Sequence, residues 1–198
     1  MNSMMDVIIS FVIAGMIILI VIQVDSNVKS SSIFIEQDLH AQEYMKLTAD
    51  VMNWELRKIG HCLAKPERAI RVADTSRIVF DYNKNPRAVL GFNNGDSTRI
   101  EYLFNVLDET TPNPRDKKFI RKIDGASHNG YSLGLTRVFM QYYNKQGTLL
   151  ATPVCADSLR KIKTIRVNLE IESKEPFKEE YSRFIYSMRI TPKNLLGV

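Results

Sequence analysis

The sequence predicts an α+β protein in which one long N-terminal helix, transmembrane and then amphipathic, packs on an antiparallel β-sheet domain. An uncharged apolar run over residues 7–24, an apolar repeat with helical spacing after it, and period-two alternation from residue 69 onward predict this fold class. We expect a transmembrane anchor over residues 1–29, an amphipathic helix continuing it over residues 30–65, and an extracytoplasmic β-rich domain over residues 66–198.

The composition is that of a folded protein with a modest positive charge. Of the 198 residues, 44% are hydrophobic and 25% charged, and the net charge is +5. The densest basic segment, residues 117–122, alternates with Phe119 and Ile120 and is flanked by Asp116 and Asp124. Because nucleic-acid binding needs a clustered basic patch, we expect no nucleic-acid partner. A partner with an acidic surface, or anionic lipid, remains open.

The apolar run is long enough to cross a bilayer. Residues 7–24 form a helix about 27 Å long, which matches the hydrocarbon core. Asp6 and Asp25 bound the run. A buried core helix is the alternative, but such a helix is usually amphipathic, whereas this run is apolar all round. We therefore expect the lipid bilayer to be one partner of the chain.

A cleaved signal peptide is the competing interpretation of this segment. Such a peptide begins with basic residues and ends in small residues at its cleavage site. Residues 1–6 contain no Lys or Arg, and residues 22–25 contain no such small-residue pattern. These observations favour a retained anchor. The two cysteines and the long β-rich remainder suit an exported domain, so we expect a single-pass inner-membrane protein whose C-terminal domain lies outside the cytoplasm.

Two apolar stripes with helical spacing follow the anchor. Tyr44, Leu47, Val51 and Trp54 form the first stripe, and Met52, Leu56, Ile59 and Leu63 form the second. We predict that both belong to one apolar face covering a sheet, with Trp54 in the core. Gly60 and Pro66 predict the end of the helix.

Period-two alternation dominates the remaining chain. In residues 163–171, for example, every second residue from Ile165 to Ile171 is apolar and is expected to face the core. Segments 93–96 and 144–147 have the composition of hairpin loops, and residues 111–116 that of a proline-rich loop. The predicted strands are residues 69–73, 77–82, 98–104, 118–123, 135–143, 161–173 and 181–191.

The sequence contains no recognisable catalytic, cofactor or metal motif. His40 and His61 lie on the predicted helix and its end, His128 lies in a predicted loop, and none has a second histidine at ligand spacing. Phosphate-binding, nucleophile-elbow and dinucleotide-binding patterns are missing. We therefore expect no catalytic residues, no cofactor, no metal and no small-molecule substrate.

The two cysteines allow two interpretations. Cys62 lies at the predicted helix end and Cys155 lies in a loop before a strand. In an oxidising compartment they would form a disulfide that stabilises the domain by about 4 kcal/mol through loop closure. The other interpretation is a pair of free thiols, and the sequence slightly favours the disulfide.

The order of these elements resembles that of type IV pilin-like proteins, and most closely that of minor pseudopilins of the J class and related minor pilins. The resemblance implies a pilin-like fold, other pilin-like subunits as partners, and no enzymatic activity. The segments that carry it are the run 7–24, ELRKIG at 55–60, IVF at 78–80, RIEY at 99–102, VFMQYY at 138–143 and IKTIRV at 162–167.

The resemblance does not extend to a clear prepilin peptidase site. Family members have a Gly before the span and a Glu at the fifth mature position, whereas this sequence has no Gly there and Asp6 is the nearest acid. Asp6 either pairs with a neighbouring subunit's α-amine or marks the membrane boundary. Asp6 and Gly15 are the predicted helix-packing residues.

The resemblance implies a structural subunit, or a minor or tip component, of a type IV pilus or type II secretion-like filament. The alternative is a monomeric, membrane-tethered binding or assembly factor that does not polymerise. Cross-linking in membranes separates these functions.

Overall fold

A computed structural model of the chain describes residues 2–84, 97–132, 134–177 and 179–196. Internal contacts divide the chain into two units, Met1–Leu39 and His40–Val198. The first helix, α1 (Asn2–Leu56), contributes residues to both units.

The first unit is helical and has no core of its own. Residues 2–39 are α-helical, and nearly all their side chains are exposed. Lys29 Nζ lies 2.7 Å from Asp25 Oδ2, one helical turn away, so polar pairing begins directly after the apolar run. The predicted N-terminal helix is therefore confirmed.

The second unit contains the end of α1 and two antiparallel sheets. The five-stranded sheet has the order β1-β2-β3-β4-β5, and the four-stranded sheet has the order β7-β6-β8-β9. The strands are β1 (Ile70–Ala73), β2 (Arg77–Asn83), β3 (Ser97–Leu103), β4 (Lys118–Ile123), β5 (Ala126–Ser132), β6 (Leu135–Tyr143), β7 (Leu149–Leu150), β8 (Thr164–Glu172) and β9 (Arg183–Ile190). A short helix, α2 (Ala156–Leu159), precedes β8.

Backbone hydrogen bonds join the two sheets beside β6. The Met140 N–H donates to the Thr75 carbonyl (2.8 Å), in the connection between β1 and β2. The Lys117 N–H, just before β4, donates to the Leu135 carbonyl (2.7 Å). The edge of β6 that β8 does not occupy is thus covered by β7 and by groups of the five-stranded sheet.

One stripe of α1 packs into the core shared by both sheets. Ala49, Met52 and Leu56 follow one another at spacings of three and four residues, and each is at most 3% exposed. Ile59, just beyond the helix, is also fully buried. The second predicted stripe is therefore the face that covers the sheets.

The prediction that Trp54 lies in the core is wrong. Its side chain is 63% exposed, and Tyr44 and Leu47 of the same stripe are exposed too. The reason is geometric: at 3.6 residues per turn, Trp54 lies about 200° around the helix from Met52. The two stripes are therefore separate faces, and only one of them can contact the sheets.

The helix also ends earlier than residue 65, the predicted boundary. α1 ends at Leu56, and hydrogen-bonded turns follow as far as Cys62. Gly60 has φ +74° and its N–H donates to the Asp81 carbonyl (3.1 Å) instead of to a helical partner. Bonding to β2 thus replaces the helical hydrogen bonds.

All seven predicted strands are confirmed within three residues of their bounds. The 144–147 hairpin is also confirmed, since it joins the paired strands β6 and β7. Strands β5 and β7 were not predicted, and His128 lies in β5, so the predicted loop there is wrong. The predicted hairpin at residues 93–96 lies outside the described residues.

Candidate assembly site

The first unit presents an apolar surface with nothing covering it. The large apolar side chains between residues 7 and 24 are each 52–75% exposed. Among the described residues, α1 is the one helix long and apolar enough to cross a membrane, with a mean hydropathy of 3.0 in its best window and none of that window buried. This surface can be satisfied by lipid or by other apolar helices.

The two predicted packing residues of this helix lie on opposite faces of it. Asp6 and Gly15 are nine residues apart, which is about 180° around the axis. Asp6 is exposed, and its carbonyl accepts a hydrogen bond from Ser10 Oγ (2.7 Å). Apart from Gly15, its two chain neighbours and the nearby backbone of its own helix, no heavy atom lies within 4 Å of the point where a Cβ on Gly15 would stand. Asp6 and Gly15 would therefore meet different neighbours.

A second apolar surface lies on α1 within the second unit. Tyr44, Leu47 and Trp54 are 41%, 55% and 63% exposed, and they form one stripe on the side opposite the buried face. The Lys58 ammonium lies over the Trp54 ring, which places a cation at the end of the stripe. We call these three residues the outer stripe.

A buried ion pair fixes the inner side of the same helical segment to the five-stranded sheet. Glu55 is 2% exposed and accepts hydrogen bonds from Tyr102 of β3 and from Arg121 of β4. Arg121 binds both carboxylate oxygens, its Nε lying 3.0 Å from Oε2. This arrangement fixes the rotation of the helix, and so it directs the outer stripe away from the sheets.

The electrostatics of this cluster follow from its burial. Burial, followed by the charge of Glu55, raises the pKa of Tyr102 well above its usual value. The hydrogen bonds to Glu55 raise the pKa of Arg121. The tyrosine is therefore a neutral donor and the arginine a permanent cation, and neither is poised for proton transfer near neutral pH.

Sequence reasoning missed this cluster. It placed Arg121 within the basic segment 117–122 and included Glu55 only in the segment 55–60 that carries the family resemblance. A usable signal was present, because Glu55 lies one turn from Met52 and one residue from Leu56, at the margin of the buried stripe.

The outer face of the five-stranded sheet has a charged depression of about 700 Å³. Its acids are already paired. Asp81 accepts from Arg71 (2.8 Å) and Arg99 (2.9 Å), and Glu101 accepts from Arg77 (2.8 Å). The hydrogen bond and charge of Asp81 raise the pKa of Arg99. The third acid that lines the depression, Asp124, accepts a hydrogen bond from the Arg99 N–H (2.7 Å), so all three carboxylates are engaged in one charge network.

The described part of the chain contains no group of three or more His, Cys, Asp or Glu side chains arranged to hold a metal ion. His40 lies 3.9 Å from Glu43 on the exposed surface of α1, and His61 Nε2 lies 3.3 Å from Cys62 Sγ. These histidines are consequently engaged in local pairs.

The predicted disulfide between Cys62 and Cys155 does not form. Both are free thiols; Cys62 is half-buried in the turn after α1, and Cys155 is exposed directly before α2. Hydrogen bonding to Ser158 lowers the pKa of the Cys155 thiol. The two cysteines lie near opposite ends of β2, as the neighbouring backbone bonds show.

Backbone hydrogen bonds locate these two ends. The Asn83 N–H at the end of β2 donates to the His61 carbonyl (2.8 Å), next to Cys62. The Val154 N–H, next to the other cysteine, donates to the Ala73 carbonyl (2.9 Å), and Ala73 pairs with Ile78 near the start of β2. From Ile78 to Asn83 a strand extends about 17 Å. A disulfide needs Cα atoms within about 7 Å of each other.

Comparison with solved structures shows what this architecture is similar to. A type IV-like pilin from Thermus thermophilus matches 78% of this chain and 97% of its own, with a TM-score of 0.53 and 13% sequence identity. Sequence comparison gave no match to a family model or to a curated protein. At this identity the likeness shows the fold, and the chain has a type IV pilin-like fold.

Proposed function

We propose that this protein is a membrane-anchored, pilin-like structural subunit, or a minor or tip component, of a type IV pilus or type II secretion-like filament. The observation that carries the proposal is the apolar surface of residues 7–24, every large side chain of which is at least half exposed. A surface of this kind is stable only when lipid or other apolar helices cover it.

The proposed mechanism is mechanical. The apolar helix is stored in the bilayer and then packs against helices of neighbouring subunits in a filament core. Gly15 lets a neighbouring backbone approach closely. The Asp6 carboxylate pairs with a neighbour's α-amine, since an unpaired charge in a helix bundle is costly.

The outer stripe gives the second unit a packing surface of its own. Tyr44, Leu47 and Trp54 face away from the core of their own subunit and are available to a neighbour. The Glu55–Arg121 ion pair keeps the stripe in that orientation. The β-rich part of the chain then lies on the filament surface, outside the cytoplasm, and selects neighbours.

This function requires no catalysis, cofactor or small-molecule substrate. A pilin-like fold is typically structural, and the charged depression on the five-stranded sheet has its acids paired. We place the protein in the inner membrane as a single-pass protein, from which it enters a periplasmic or surface filament.

Membrane retention tests the anchor. Ile18→Lys places a charge in the middle of the apolar run and is expected to move the full-length protein out of the membrane fraction or to prevent its accumulation. Gln146→Lys adds the same charge on an exposed turn and should fractionate like the wild type. Retention of the Ile18→Lys variant at the wild-type level would remove the basis of the proposal.

Cross-linking in membranes separates a filament subunit from a monomeric tethered factor. In a background with Cys62 and Cys155 replaced by Ser, a single Ile13→Cys substitution should give a disulfide-linked homodimer on oxidation, or a heterodimer with a partner that carries a cysteine, since one cysteine per subunit forms one disulfide. A Lys145→Cys variant measures random collision. Monomers alone from both variants would favour the tethered factor instead.

A further inference from the structure

Strand β9 ends the four-stranded sheet with an open edge. It pairs with β8 over eight consecutive residue pairs without a register shift, and the described residues give it no other strand neighbour. Eight residues extend about 27 Å. Proteins usually protect such an edge by shortening it, by a bulge, by proline or by charged side chains, and of these features β9 has only the charges of Arg183 and Arg189.

The alternation of hydrogen bonds between β8 and β9 shows which backbone groups of β9 are not bonded to β8. The Ser173 N–H donates to the Ser182 carbonyl (2.8 Å), which fixes the alternation along the pair. The backbone groups of Arg183, Ile185, Ser187 and Arg189 consequently point away from β8. Within the described segments, no backbone hydrogen bond is made to these four residues. They form a regular row of donors and acceptors.

Apolar side chains are exposed along the same edge. Ile185 is 67% exposed on the outer face of the sheet, and Tyr186 is 42% exposed on the inner face. The inward-facing residues of the adjacent strand are fully buried: Ile165, Val167, Leu169 and Ile171. Of these two adjacent strands, β9 is the one with exposed apolar side chains, and one more strand beside it would cover both.

The outer face beside this edge has an excess of positive charge. Paired registers place four arginines on it: Arg137, Arg166, Arg183 and Arg189. Its two acids are already engaged, since Glu170 pairs with Arg183 (2.6 Å) and Glu172 pairs with Arg115 (3.0 Å). An incoming strand with acidic residues would complement this face.

A second copy of β9 does not supply that complement. Residues 183–190 contain two arginines and no acid. Pairing two copies would bring four arginines to one strand pair without a neutralising carboxylate.

We propose that β9 binds an extended acidic segment of a partner protein as an antiparallel fifth strand of this sheet. Its side chains on the outer face would be acidic opposite Arg189 and Arg183, small and polar opposite Ser187, and apolar opposite Ile185. This gives the pattern acid-x-polar-x-apolar-x-acid. The inference concerns β9 and does not depend on packing of the N-terminal helix.

Binding of labelled peptides to the full-length protein in detergent micelles tests this. The probe is the peptide ETTVITE, and its charge-reversed control is KTTVITK. We expect ETTVITE to bind about tenfold more tightly than the control, as one partly desolvated charge pair can provide. Equal affinity for the two peptides would overturn the charge argument and with it the proposal.

N-methylation separates strand addition from simple charge attraction. In the proposed register, the N–H groups of the third and fifth peptide residues point toward β9, and those of the second and fourth point away. Methylating the third and fifth should weaken binding about tenfold, whereas methylating the second and fourth should change it less than about threefold. Equal loss from both methylated peptides would refute strand addition.

A charge swap completes the test. Arg189→Glu leaves the Arg183–Glu170 pair intact, and the double variant Arg183→Glu/Arg189→Glu reverses both ends of the edge. Either variant, once its circular dichroism matches the wild type, should shift preference toward KTTVITK. An unchanged preference would overturn the proposal in favour of charge-independent contact, and self-association of the wild-type protein that Arg189→Glu does not alter would overturn it in favour of a second copy.

Discussion

Replacing Arg121 with Met should destabilise the second unit strongly, although the site is partly accessible to solvent. The substitution keeps much of the side-chain volume but leaves the Glu55 carboxylate, which is 2% exposed, with Tyr102 as its remaining partner. Breaking a fully buried pair costs about 3–5 kcal/mol, and an exposed pair is worth about 0–1 kcal/mol.

The exposure of Arg121 sets the expected value between these limits. Its side chain is 27% exposed, so water can partly solvate the abandoned carboxylate. We expect a loss of about 2–3 kcal/mol in the free energy of unfolding, which lowers Tm by about 5–10 °C for a unit of this size. The measurement is urea and thermal unfolding of the full-length chain in micelles, followed by near-ultraviolet circular dichroism of the tyrosines.

A double-mutant cycle shows whether the ion pair itself is responsible. Glu55→Leu/Arg121→Met removes both charges and should be less destabilised than the sum of the two single variants by at least about 1 kcal/mol. If the single-variant losses add to within about 0.5 kcal/mol, the two side chains are energetically independent, and the argument that the pair fixes the helix fails.

Three further predictions follow from the fold. Met52→Ala, in the core, should cost about 2–5 kcal/mol of unfolding free energy, whereas Trp54→Ala, on the outer stripe, should cost less than about 0.5 kcal/mol. Similar losses in urea titrations would contradict the assignment of Met52 to the buried face of α1 and of Trp54 to the exposed face. Gly134→Ala should cost about 2–4 kcal/mol of unfolding free energy, because φ is +67° and the new Cβ would lie 2.6 Å from a carbonyl oxygen. Gly147→Ala should cost about 1 kcal/mol, because φ is +79° there but the space is open. Equal losses of unfolding free energy would contradict the close approach at Gly134. Burial raises the pKa of Tyr142, so the unfolded chain loses this proton above about pH 10 while the folded chain keeps it, and stability should fall by about 1.4 kcal/mol per pH unit. Tyr142→Phe should reduce that slope in urea titrations above pH 10, and an unchanged slope would count against the burial argument.

Periodicity predicted the elements of this fold well, because the spacing of apolar residues within one strand or helix reflects which side of that element is buried. The alternation from Ile165 to Ile171 predicted the buried face of β8 correctly. Strand β5 was missed because its sequence, ASHNGYS, has turn-forming residues and no alternation, and tertiary pairing with β4 imposes the extended backbone.

The candidate site was harder to predict because it depends on rotation and on distant pairing. The stripes of Trp54 and Met52 are both apolar, and the sequence alone does not say which faces the sheets. Glu55 and Arg121 are 66 residues apart, and only the fold brings them together. The expected disulfide failed for the same reason, since spacing along the chain says nothing about which end of a strand each cysteine reaches.

The backbone bonds beside β6 have a consequence for a protein under tension. The Met140 N–H and the Lys117 N–H each donate a hydrogen bond that runs from one sheet of the second unit to the backbone of the other. Pulling the sheets apart must therefore break main-chain hydrogen bonds and side-chain packing at once. A load applied at one sheet is therefore passed to the other through hydrogen-bonded backbone.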